Sequence, residues 1–241
     1  MIDAADTKRF PAYGEILRLD ELLAIACVRD TADRTLFFAT HQACEIWFAV
    51  VLRHLDAARE ALLQGNGTEA AEHLERLPHI MRVITEHFEV LATLTPESFD
   101  AIRATLGTSS GFQSAQYREI EFACGAGDPR YLNIPGLTES ERARMLARLE
   151  QPSLAAVFAE YRDRVRAGAH GPEGDSPPVE RIQDALAGFD KAVRSWRERH
   201  AELAEQFLGA AQGTAGSSGA SYLWRHAEAT LFPDLFPRGH E

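Results

Sequence analysis

Phe99 and Arg103 stand four residues apart in the stretch Leu94-Thr-Pro-Glu-Ser-Phe-Asp-Ala-Ile-Arg-Ala-Thr-Leu-Gly-Thr-Ser-Ser-Gly-Phe-Gln-Ser-Ala-Gln-Tyr-Arg118. Thr95-Pro96 is a helix start, so the phenyl ring and the guanidinium fall on one face of a short helix, with the turn Ser109-Ser110-Gly111 close behind. A polar and aromatic corner of this kind suits the carboxylate of an amino acid. A planar guanidinium grips two carboxylate oxygens through parallel charge-assisted hydrogen bonds.

The chain holds nine histidines, and two of them stand on apolar stripes. His41 lies one turn after Phe37 and three residues before Cys44, and His200 lies four residues after Trp196, so both are expected to point inward. There is no His-Glu-x-x-His, no pair of cysteines and no carboxylate-histidine cluster at helical spacing, so a zinc or di-iron site is not expected. A haem requires less, because one imidazole can be the only protein bond to its iron. Two inward histidines fit opposite walls of a cofactor pocket, and they equally fit two ordinary core histidines; the pattern alone leaves both open. The loop Gly213-Thr-Ala-Gly-Ser-Ser-Gly219 permits close backbone approach to a ligand, with the Thr214 hydroxyl to orient it, or it is a plain connection between helices. It lacks the Gly-Lys-Ser/Thr ending and the preceding strand of a nucleotide-binding loop.

The elements that must position these residues read as helices, and no stretch alternates well enough to be a strand. Residues 31–63 open on Thr31 and Asp33 as caps and carry Phe37, Cys44, Trp47, Phe48, Val51, Leu52 and Leu55 on a broad apolar face. A second long pattern runs from Thr68 to Leu94, with Pro78 marking a bend or a helix start inside it. Short helices fit 97–106, 113–124, 138–150 and 153–167, each beside Gly, Pro or Asp punctuation. The segment 167–178 is a breaker-rich surface linker, too short to separate domains. A long helix is expected over 179–208 and a last short one over 222–231. Phe10 to Leu17 has no helix to belong to and reads as an extended N-terminal arm within residues 1–20. The expected architecture is an all-α helical bundle, one domain over 1–241, with a pocket between helices.

Composition sets the outer limits. The chain has 241 residues, 45% hydrophobic and 25% charged, enough for one sizeable core. A net charge of −11 opposes nucleic-acid binding, which needs a basic face to displace counterions from phosphates. No apolar run approaches the roughly 18–20 residues that span a bilayer, and the first residues carry no hydrophobic signal, so a soluble, cytoplasmic protein is expected. Cys27, Cys44 and Cys124, odd in number and in apolar surroundings, read as reduced core residues.

Four blocks, in order along nearly the whole chain, resemble the haem enzymes of the tryptophan 2,3-dioxygenase family. They are Tyr13-Gly-Glu-Ile-Leu-Arg-Leu-Asp-Glu-Leu-Leu23; Leu36-Phe-Phe-Ala-Thr-His-Gln-Ala-Cys-Glu-Ile-Trp47; Leu91 through Glu121; and Trp196-Arg-Glu-Arg-His200 with Gly213 to Gly219. The resemblance implies a haem b (heme) cofactor and oxidative opening of the indole ring of L-tryptophan by dioxygen to N-formylkynurenine. By it, His200 is the proximal iron ligand, beside Trp196. His41 is the distal histidine that accepts the indole N–H and is the catalytic candidate. Phe37 contacts the indole, Phe99 and Arg103 form the carboxylate corner, and Ser110 and Gly111 line the oxygen side. Thr214, with the Gly216 backbone, holds the substrate's ammonium and carboxylate together with a haem propionate. It also implies a homotetramer, with a homodimer as the smaller alternative, in which the arm of one subunit, through Tyr13 and Leu17, covers a neighbour's pocket. The chain departs from the family at Ile16, where the family has Tyr, at Ala215, where it has Gly, and in a shortened 150–195 section. The alternatives kept open by these departures are a haem oxygenase inserting one oxygen into a modified tryptophan, a non-catalytic haem or indole binder, and a cofactor-free helical scaffold.

Overall fold

Three long helices carry the molecule. The structure, a computed structural model, describes residues 11–27, 29–168, 178–209, 211 and 218–236. In chain order the helices are α1 (Tyr13–Leu17), α2 (Leu19–Ala26), α3 (Ala32–Leu63), α4 (Gly67–Leu91), α5 (Pro96–Arg103), α6 (Ala115–Cys124), α7 (Glu139–Leu149), α8 (Leu154–Arg166), α9 (Val179–Leu208) and α10 (Ala220–Ala227). Short 3-10 turns at Gly111–Gln113 and Pro129–Asn133 complete the helical structure, and among the described residues there is no strand.

Helix α3 starts where its chemistry says it should. The Thr31 hydroxyl accepts from the Arg34 N–H at 3.2 Å, and the stripe Phe48, Val51, Leu52, Leu55, Ala58 and Leu62 is buried. A tight reversal at Gly65 (φ 81°) and the Asn66 cap, which accepts from the Glu69 N–H at 3.2 Å, turn the chain back into α4. Gly67 opens α4 where Tyr161 of α8 presses in: a Cβ there would lie 2.1 Å from the Tyr161 hydroxyl oxygen.

Pro78 does not start a helix; α4 runs through it. The helix loses one backbone bond at the proline, and packing on two sides offsets that loss. The α3·α4 and α4·α9 contacts are the most extensive in the fold, burying Leu74, Leu77, Met81, Ile84 and Phe88. Opposite Pro78 stands Gly188 of α9, where an added Cβ would lie in ordinary contact with the ring at 3.5 Å. Helix α9 adds Ile182, Leu186, Phe189, Val193 and Trp196 to the same core. Its Asp190, buried, accepts from the Leu231 N–H at 2.6 Å and the Thr230 hydroxyl at 2.9 Å, which seats Leu231 and Phe232 against α9.

The N-terminal segment is not extended. It folds as α1 and α2 about Arg18, the one described non-glycine residue with positive φ (51°). Neither helix buries a residue, and Tyr13, Ile16, Leu17, Leu22, Leu23 and Ile25 are exposed. Cys124 is buried and Cys44 half-buried as expected, but Cys27, at the end of α2, is exposed. Helix α3 is long and apolar enough to cross a membrane by length and composition, which the sequence reading missed. Here it packs against α4, α6 and α8. The linker 169–177 lies outside the described residues.

Candidate active site

A cavity opens between the C-terminal half of α9, the N-terminal part of α3 and the end of α4, with α5 and α10 at its rim. Phe37, His41, Phe99, Arg103, Ser110, Gly111, Trp196 and His200 all line it. Thus residues from the first, second and fourth quarters of the chain meet in one space. Tyr13 and Leu17 do not: they stand exposed on α1. Thr214 and Gly216, with Ala215, lie outside the described residues.

His41 is held by its own helix. Its Nδ1 donates to the Phe37 carbonyl at 2.7 Å, since a carbonyl can only accept, and this leaves Nε2 with a lone pair. The Phe37 ring lies against the imidazole with centroids 4.3 Å apart. Burial lowers the His41 pKa, opposed by the Phe37 carbonyl and by Glu45, so the ring is neutral at physiological pH. The side chain counts as accessible because it faces the cavity.

His200 is neutral for a related reason. Burial, and then the neighbouring His41, depress it to about 4. A neutral imidazole is the form that binds a metal. Phe88 stacks on it at 5.3 Å and Trp196 lies 5.7 Å away.

Helix α5 is latched at two points. The Ser98 hydroxyl, on α5, bonds Asp33 of α3, and the Phe99 ring stacks on Phe207 of α9 at 4.4 Å and 14°. Helix α5 starts at the Thr95 cap and Pro96, as the sequence indicates. It ends at Arg103, which turns the guanidinium to the rim of the cavity.

Beneath this lies a charged layer that sequence reasoning did not assign. Arg118 and Arg197, both buried, share Glu121 at 2.7 and 3.0 Å, and Arg197 Nε donates to the Tyr117 hydroxyl at 2.6 Å. All four line the cavity. A signal was present: Arg118 and Glu121 sit one turn apart on a helix otherwise rich in apolar residues, and charges on an inward face mark paired or functional groups. Among the described residues five buried donors lack a hydrogen-bond partner, the Nε of Arg34, Arg59, Arg118 and Arg162 and Trp196 Nε1, and of these Arg118 and Trp196 line this cavity. A bound acceptor in the cavity would satisfy both. A flat apolar group edged by carboxylates, with a metal open to one imidazole, matches that donor set; haem is such a group. No cluster of three or more His, Cys, Asp or Glu that could hold a bare metal ion occurs among the described residues.

A helical bundle with two neutral histidines and an arginine lining one aromatic cavity defines an all-α protein with a pocket between its helices. Comparison with known proteins supplies the particular family. The tryptophan 2,3-dioxygenase profile matches residues 4–157. The chain is 36% identical over 246 residues to a tryptophan 2,3-dioxygenase of Nocardioides sp., covering 93% of this chain and 92% of that protein. It is 34% identical over 260 residues to one of Kineococcus radiotolerans (96% and 91%), and 33% identical over 252 residues to one of Ruegeria sp. (93% and 90%). The chain belongs to the tryptophan 2,3-dioxygenase family.

Proposed function

We propose that this protein is a haem-dependent dioxygenase that opens the 2,3 bond of the indole ring of L-tryptophan with O2, giving N-formylkynurenine. One observation carries the reading: His41, His200, Phe37, Phe99 and Arg103, far apart in sequence, converge on one cavity that also holds two unpartnered buried donors.

His200 would hold the iron, and Arg118 Nε and Trp196 Nε1 stand where acceptor groups of the cofactor would satisfy them. When bound, haem supplies the centre at which dioxygen is activated. The chain's own residues do the placing. Arg103 binds the amino-acid carboxylate, Phe37 and Phe99 pack the indole, and His41 Nε2, its lone pair fixed by the Phe37 carbonyl, accepts the indole N–H. Thr214 and Gly216 complete the grip on the amino-acid group, and Ser110 and Gly111 border the reacting face. Holding reactants in a near-attack arrangement lowers a barrier by about 7–11 kcal/mol. A positioned base contributes about 10²–10⁴-fold. The aromatic walls keep water from the reacting atoms.

The exposed apolar residues of α1 and α2 support assembly as a homotetramer, with Tyr13 and Leu17 over a neighbouring subunit's cavity. The packing of α3 against α4, α6 and α8 supports a soluble protein rather than a membrane-spanning one, and a cytoplasmic setting goes with that reading. The test is spectroscopic. Protein supplied with hemin is expected to show a Soret band that is lost in His200→Ala, and to produce formylkynurenine absorbance from L-tryptophan. An unchanged spectrum in that variant rejects His200 as the ligand, and an inert enzyme with bound haem rejects tryptophan as substrate.

A further inference from the structure

An iron-bound histidine ordinarily donates its second ring N–H to a carboxylate or a carbonyl, which fixes the ring plane and raises its basicity. His200 has no such hold: neither ring nitrogen is hydrogen-bonded to any described residue. Its plane is set by another device. The Phe88 ring lies nearly parallel to the imidazole, with centroids 5.3 Å apart and an interplanar angle of 14°. Phe88 also stacks on Trp196 at 5.9 Å and 28°. Trp196 is itself wedged by Phe48 at 5.6 Å and 87° and by Tyr117 at 4.9 Å. Phe88 is only 6% exposed, rooted in α4 where that helix packs on α9, so its ring cannot turn without disturbing the core.

We propose that Phe88 is the positioning residue for His200, its stacked ring rather than a hydrogen bond fixing the plane in which the imidazole meets iron. The inference rests on the reading of His200 as the haem ligand. It has two consequences. The imidazole remains a neutral donor, with no described carboxylate hydrogen-bonded to it. Its rotation about the Cβ–Cγ bond is limited by a flat apolar face, so removing that face frees the ring without removing the ligand.

The experiment compares wild type, Phe88→Leu, which keeps the apolar volume without the ring, and Phe88→Tyr, which keeps the ring. Each is loaded with hemin, and two quantities are read: the iron–histidine stretching band of the reduced protein by resonance Raman, and the rate of haem loss to a scavenger. In Phe88→Leu the band is expected to broaden and shift, and haem loss to quicken on the order of 2- to 10-fold, the scale of an aromatic stack. In Phe88→Tyr both quantities should stay near wild type. A wild type without an iron–histidine band, or a band that persists in His200→Ala, overturns the ligand assignment itself. A His200-dependent band in wild type that is unchanged in Phe88→Leu overturns the role of Phe88 alone. So does an equal change in both variants that follows their loss of melting temperature, for that is packing and not ring orientation.

Discussion

Arg103 shows what a single side chain contributes. It ends α5, one turn after Phe99, and its guanidinium reaches the rim of the cavity. Hydrogen bonds to a charged partner contribute about 1.5–3 kcal/mol. Arg103→Ala is therefore expected to raise KM for L-tryptophan about 10- to 100-fold with a smaller change in kcat, measured by steady-state kinetics. An equal fall in kcat would move Arg103 from substrate binding into the chemical step. This residue was legible in the sequence because its signal is local: a Thr-Pro start, a four-residue spacing and a following turn. His41 and His200 were legible as inward residues, and their facing across one pocket was one of the two readings the pattern left open, since nothing local ties position 41 to position 200; the shared cavity brings them together. The Arg118 and Glu121 pair had a local signal in its one-turn spacing, but Arg197, the distant third member, has none in the sequence.

Among the elements, the long amphipathic helices α3 and α9 follow the sequence reading closely, for their apolar residues recur at the helical period over many turns. Pro78 does not start a helix. A proline inside a helix is locally unfavourable, and packing against α3 and α9 offsets that within the continuous α4. The N-terminal arm misled the sequence reading, since α1 and α2 are too short for periodicity to declare them. Helix α9 also anchors the segment beyond α10 through the buried Asp190 carboxylate, which accepts two bonds from Thr230 and Leu231. Asp190→Ala strands the Leu231 N–H and is expected to cost about 1–3 kcal/mol of stability. Urea denaturation measures it. A midpoint equal to wild type would mean that Leu231 and Phe232 are held by packing alone.

For the molecule as a whole, acid weakens the fold through its histidines. His54 Nδ1 lies 3.0 Å from His73 Nδ1, across α3 and α4, and burial, then His73 and Arg76, lower the His54 pKa. Burial likewise lowers His87, beside Cys44. A histidine whose pKa is lower folded than unfolded takes up its proton more readily in the unfolded chain. Its contribution is therefore complete above the unfolded value, about 6.5, and is lost as pH falls through the lower folded value. Stability of the haem-free protein should decline from pH 6.5 downward, and His54→Asn should flatten part of that slope; a flat wild-type profile between pH 5 and 7 would refute it. Helices α1 and α2 carry none of this burden. They bury no residue, and their main contacts are with each other and the start of α3. Trypsin cutting after Arg29 would thus shed a fragment whose departure the remaining bundle barely registers. If the fragment roofs a neighbour's cavity, the clipped protein keeps its red colour while its turnover fades, so pigment and catalysis part company along one peptide bond.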